Sequence, residues 1–284
     1  MRQRVFITAA LLAFLAFGIS RIAVINGFIE MDEVVHYLQA RYAPHHPFLY
    51  ASIWARPLFV LLYTPACQFP FDVARGFTLL MAAFAGYLAY RESDRKGIPW
   101  PALAFALTVA QPLYIKQSYT VMTEHTLALL LIASLHFWET DRRDLSCFLM
   151  SLTPLSRPEG FFLGPLWFLL VILDRNAAVR DRLRRSSILL TGLLLWALIS
   201  RLFCGTPLWF VQNFPWVHHG SAHNATLWDF PARLPQFASL PVIALAMIGL
   251  VTIRRYKLQM ASLLSFFLIP IDYLYQKIKN NQFY

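Results

Sequence analysis

Apolar residues along this chain fall in long blocks. They follow neither the strict alternation of a half-buried strand nor the narrow stripe of a surface helix. The blocks lie near residues 5–25, 73–90, 98–115, 119–138, 145–156, 158–173, 188–204, 237–253 and 258–275. A helix needs roughly 20 mostly apolar residues to cross a bilayer, so the pattern predicts an all-α, polytopic transmembrane protein of about nine spans. The fifth block is too short to cross alone. It reads with the sixth as two half-length helices meeting at Ser156-Arg157-Pro158-Glu159-Gly160. Met1-Arg2-Gln3-Arg4 before the first block resembles the start of a signal peptide, but no small-x-small cleavage site follows, so an uncleaved anchor is expected. The stretch from Pro57 to Pro70 is apolar and short, with prolines at 57, 65 and 70. It reads as a helix lying at the outer interface rather than a span. No soluble domain and no internal repeat interrupt the pattern, so residues 1–284 are expected to form one membrane domain. The stop at Asn280-Asn281-Gln282-Phe283-Tyr284, just after the ninth block, is what a chain truncated at its C-terminus would show.

Composition sharpens this. The chain is 58% hydrophobic and 14% charged, with mean hydropathy +0.50. A soluble domain carries about a quarter charged residues, and disorder needs low hydrophobicity with high charge; both are excluded. Cys67, Cys147 and Cys204 are too few and too scattered for a disulfide framework or a zinc site. The net charge of +10 is distributed unevenly. With the N-terminus in the cytoplasm, 15 of the 25 basic residues fall in cytoplasmic stretches: Arg2 and Arg4, 91–96, 142–143, 175–185 and 254–257. The positive-inside rule therefore sets the direction and accounts for the basic excess without a nucleic-acid partner. The expected location is an integral membrane, the plasma membrane in a prokaryote. Two long loops, about 26–72 and 205–236, then face outward, the first carrying interfacial helices, and any chemistry lies on that side.

Ionisable residues close to a bilayer are costly and therefore informative. Asp32 and Glu33 come soon after the first span, and Asp32, His36 and Gln39 share a face if the segment is helical. The plain alternative is an interfacial helix whose acids face water. Glu124, followed by His125, opens an apolar block, where a carboxylate also suits the helix dipole. Arg157 sits at the break between two half-helices; its guanidinium suits bidentate capture of a phosphate or an ion pair with Glu159 or Glu124. Arg56, before Pro57, is a further outer cation, fitted equally to a lipid headgroup. His218, His219 and His223 in the second loop match no strong metal-ligand spacing. Asn224-Ala225-Thr226 fits a glycosylation sequon, a weak signal.

In this order, these residues resemble the GT-C superfamily of integral membrane glycosyltransferases, which includes protein O-mannosyltransferases and the aminoarabinose transferase of lipid A. The matching stretches are Met31-Asp32-Glu33 with Tyr37, Arg56-Pro57, Arg75, Ser118 to Glu124, Arg157-Pro158-Glu159-Gly160 and Gly205-Thr206-Pro207-Leu208. Members are usually longer and often carry a soluble C-terminal domain. The resemblance implies an inverting sugar transfer on the outer face, from a polyprenyl-phosphate donor to a hydroxyl of a glycolipid, glycan or protein. Asp32 would be the general base with Glu33 beside it. His36, Arg56, Glu124, His125 and Arg157 would bind substrate. Mg²⁺ or Mn²⁺ would suit carboxylates meeting phosphate, although no motif demands a metal. The rival readings are a transporter or lipid flippase with an outward polar cavity, and a non-catalytic membrane scaffold.

Overall fold

The structure, a computed structural model, describes residues 2–213. Every regular element among them is helical: α1 (Arg2–Val24), α2 (Met31–Tyr42), α3 (Pro57–Cys67), α4 (Phe71–Arg95), α5 (Pro101–Val109), α6 (Pro112–Ser118), α7 (Glu124–Glu139), α8 (Arg143–Ser151), α9 (Gly160–Leu173), α10 (Val179–Ile188), α11 (Thr191–Cys204) and α12 (Trp209–Gln212). Short 3₁₀ turns at Pro47–Ala51 and Thr153–Leu155 join them. The all-α class is as the sequence leads one to expect.

Three stretches are long and apolar enough to cross a membrane: Val5–Val24, Phe71–Arg95 and Val179–Cys204, the last running through α10 and α11. These overlap three of the nine expected blocks, the third beginning earlier than expected because the basic stretch 180–185, expected in a loop, is helical in α10. The others in the described region are shorter helices. The block at 98–115 breaks before Pro112, which has no amide hydrogen to continue the ladder and holds Gln111 extended at φ −69°, ψ 132°. The block at 119–138 becomes helical only from Glu124. Blocks 145–156 and 158–173 form α8 with its 3₁₀ turn, then α9, with Arg157 in the turn between them. The blocks at 237–253 and 258–275 lie outside the described residues, as does most of the second long loop.

Charge marks one end of the bundle. Arg95, at the end of α4, reaches Glu92 at 2.7 Å and Glu139, at the end of α7, at 3.3 Å. His136 also contacts Glu92. Arg143 at the start of α8 pairs with Asp174 just after α9, and Arg184 of α10 meets Asp144 at 3.0 Å. Clusters 91–96, 142–143 and 175–185 thus gather at a single end. The opposite end holds α2, α3 and the starts of α4 and α7. Between the ends, small residues let helices close in. An added Cβ at Gly192 of α11 would lie 1.7 Å from the Ser151 carbonyl oxygen, so only glycine permits that approach.

Candidate functional site

Asp32 and Glu33 occupy the first turn of α2, where the exposed backbone amides favour anions. They are neighbours in sequence and about 100° apart around the helix, so their surroundings differ. Glu33 points inward and is fully buried. Its Oε1 accepts from Arg75 Nε at 3.0 Å and from the Val121 amide at 3.0 Å. Its Oε2 accepts from Arg75 Nη2 at 3.2 Å and from the Ile29 amide at 2.9 Å. Arg75, 1% exposed in the first turns of α4, also donates to the Gly27 carbonyl at 2.7 Å and lies over the Phe71 ring. This one ion pair therefore ties the α1–α2 connection, α2, α4 and the segment before α7 together. Asp32 is half-buried and takes no hydrogen bond or ion pair among the described residues.

His36, one turn further on, is buried with its Nδ1 3.2 Å from the Val121 carbonyl oxygen. A carbonyl only accepts, so Nδ1 carries the proton in this contact. Both polar groups of the Val121 residue are thus gripped by α2 side chains, the amide by Glu33 and the carbonyl by His36. That grip replaces the intrahelical bonds Val121 would otherwise need, and it holds residues 120–123 out of the helix. Gln39, the next residue on the Asp32 face, accepts from Ser52 Oγ. Ser52 Oγ in turn accepts the Trp54 and Ala55 amides, each at 3.2 Å, and so shapes the loop that delivers Arg56.

Arg56 is 6% exposed, with its guanidinium 5.9 Å from the centroid of the Trp196 ring. Its backbone adopts φ 68°, ψ 141°, a conformation costly for any residue with a Cβ. Trp196 packs with Ile53, Leu155 and Phe210, which brings the Arg56 loop to the turn that carries Arg157.

Arg157 is also buried. Its Nη1 lies 2.6 Å from Glu124 Oε1 and donates to Thr123 Oγ1 at 2.9 Å, while its Nε donates to Glu159 Oε1 at 2.9 Å. Both ion pairs weighed from sequence are therefore made. The second oxygen of Glu124, Oε2, is buried without a hydrogen bond. His125 faces elsewhere in the bundle, edge-on to Tyr114 with ring centroids 4.5 Å apart.

Of the seven residues singled out from sequence, then, Glu33, His36, Glu124 and Arg157 converge on the segment from Val121 to Glu124. Asp32 rides on α2 beside them, Arg56 is joined through the Trp196 cluster, and His125 serves a separate contact. Arg75 is the residue whose weight sequence alone understated. Its signal was an arginine at the head of an apolar block, which calls for a buried carboxylate. Among the described residues no three of His, Cys, Asp and Glu are grouped as metal ligands. Glu124 and Glu159 come together, and Arg157 engages both. His218, His219 and His223 lie outside the described residues. Compared with family models, characterised proteins and solved structures, the chain matches none.

Proposed function

We propose that the chain is a membrane glycosyltransferase that moves a sugar from a polyprenyl-phosphate donor to an acceptor hydroxyl, on the outer face and with inversion. What carries the reading is the contrast between the two acids of α2. Glu33 is saturated by four hydrogen bonds and serves to position the helix. Asp32 is the next residue along, half-exposed and with no partner among the described residues, as suits a base awaiting a proton. In the reaction the acceptor oxygen bonds to the anomeric carbon as its proton passes to Asp32. The bond from that carbon to the phosphate oxygen breaks, and the phosphate leaves with the electron pair.

With Arg75 committed to Glu33, Arg56 and Arg157 are the buried cations suited to stabilise the departing phosphate. Arg157 already faces two carboxylates, so donor binding through it requires the phosphate to replace Glu124 or Glu159 in its coordination. Arg56, strained in backbone, fits the same task from the α3 side. The residues described supply no full metal-ligand set. The site's own ion pairs, Glu33–Arg75 and Glu124–Arg157, join the end that holds α2 and the starts of α4 and α7, which favours this reading over a transporter, whose ionisable residues belong near the midplane.

The test incubates purified protein in lipid with a panel of polyprenyl-phosphate sugars and measures released polyprenyl phosphate. General-base catalysis is worth about 10²–10⁴-fold. Asp32→Asn should therefore lose at least about a hundredfold in turnover while donor binding changes little. Turnover within about threefold of wild type would remove Asp32 as the base.

A further inference from the structure

The arginine-rich helix α10 leads directly into the apolar helix α11. The junction residues Leu189 and Leu190 keep right-handed helical angles, so one register runs through both. On that register one outward arc carries Leu190, Leu194, Leu198 and Leu202, each more than half exposed. The arc continues into α10 as Val179 and Leu183, also more than half exposed. The other side of α10 is pinned to the bundle. Arg182 Nη1 donates to the Ile172 carbonyl at 3.1 Å, and Arg185 Nε to Asp144 Oδ1 at 3.3 Å. Ile188 and Leu189 pack against the cluster of Cys147 and Trp167. These contacts fix the rotation of α10 and keep Val179 and Leu183 outward.

Arg180 and Arg184, one turn apart and both exposed, border the same arc. The segments 141–144 and 174–185 hold seven arginines and four aspartates. All four aspartates are taken by Arg143, Arg184 or Arg185. Arg142, Arg175 and Arg180, all exposed, form no ion pair among the described residues, so the patch keeps a positive excess. Arg184 meets Asp144 and Asp181 at the exposed surface, where such pairs are weak and yield to a phosphate. Length gives a second, independent argument. The 26 residues of Val179–Cys204 rise about 39 Å. A bilayer measures about 30 Å across its hydrocarbon and about 40–45 Å with its headgroups. With α11 crossing the hydrocarbon, the arginines of α10 fall in the headgroup layer.

We infer that α10 docks on the headgroups of anionic phospholipids, with Arg180 and Arg184 gripping one lipid phosphate and Val179 and Leu183 resting against the adjoining acyl chains. Two guanidinium groups one turn apart suit a shared phosphate. A zwitterionic headgroup carries its own cation and leaves the excess charge of the patch unbalanced, whereas an anionic one supplies the missing charge. A soluble acidic partner has no use for an apolar arc that runs on into a span. The inference rests on α11 crossing the membrane and does not depend on sugar transfer.

Native mass spectrometry of the detergent-purified chain, incubated with phosphatidylglycerol or phosphatidylcholine of matched chains, tests it. Wild type should retain phosphatidylglycerol in preference. Arg180→Gln should reduce that preference about fivefold, and Arg180→Gln combined with Arg184→Gln about twentyfold, the effects of one and two charges near an anionic surface. Arg91→Gln removes an exposed charge from α4 at the same end of the bundle, away from α10, and should change the preference by less than about twofold. A photo-crosslinker at position 183 of the protein reconstituted in phosphatidylglycerol vesicles should label lipid, and it remains informative if the double variant folds poorly. An unchanged preference in the double variant, an equal loss in Arg91→Gln, or crosslinking of position 183 to residues 214–284 or to a second copy in place of lipid would overturn the proposal.

Discussion

Replacing Glu33 by Gln removes one charge and keeps the shape, and the structure sets the size of the effect. The new side chain could still accept through its carbonyl oxygen, but its NH₂ would face the Ile29 amide and Arg75 Nη2, donor against donor. Arg75 would stay buried at 1% exposure. Asp72, at 3.6 Å and largely exposed, would be its remaining carboxylate. Breaking a buried pair while leaving its partner charged costs about 3–5 kcal/mol. For a chain of this size that corresponds to a fall in melting temperature on the order of ten degrees. Thermal unfolding of the protein in nanodiscs, followed by tryptophan fluorescence, reads it directly. Asp32→Asn provides the contrast: Asp32 makes no ion pair that the change would break, so the melting point should move by no more than about two degrees while activity collapses. If Glu33→Gln melts with wild type, or if both variants destabilise alike, the separation of the two carboxylates into a structural and a reactive one is refuted.

Three further outcomes follow from the packing and the backbone. Gly192→Ala forces a Cβ against the Ser151 carbonyl and should lower the melting point measurably, whereas Gly164→Ala, with nothing within 4 Å of the added atom, should be neutral or slightly stabilising. Arg56→Gly and Arg56→Ala both delete the guanidinium, but only glycine relieves φ 68°, so the Gly variant should be more stable by about 1 kcal/mol or more in chemical denaturation; an Ala variant of equal stability would show no strain there. Burial pushes the Cys67 thiol up to about 12. The reactive thiolate is therefore scarce below that pH. At pH 8 Cys67 should resist maleimide in the folded protein while half-buried Cys204 is labelled, and Cys67 should react once the chain is unfolded.

The sequence made the helical class and three long apolar helices legible because length and hydropathy are local properties. It also marked the break at Arg157, because Pro154 and Pro158 flank it. It could not show that residues 120–123 leave the helix, since Val121 is held by side chains 85 and 88 residues away in the chain. Nor could it separate Asp32 from Glu33: their difference is a rotation of one residue on α2, which matters only once α4 supplies Arg75. The pairing of Arg157 with Glu124 and Glu159 was weighed from sequence, and the geometry makes both.

The backbone at Val121 also links two chemistries. Arg157 holds Thr123 and Glu124; two residues earlier, the same strip of backbone is bolted to the helix that carries Asp32. A phosphate that draws Arg157 away from Glu124 loosens one end of that strip and so perturbs the other. If the proposed transfer holds, donor occupancy and the aim of Asp32 are thermodynamically coupled, with no hinge or moving domain needed. The energetic effects of changes at positions 157 and 32 should not add.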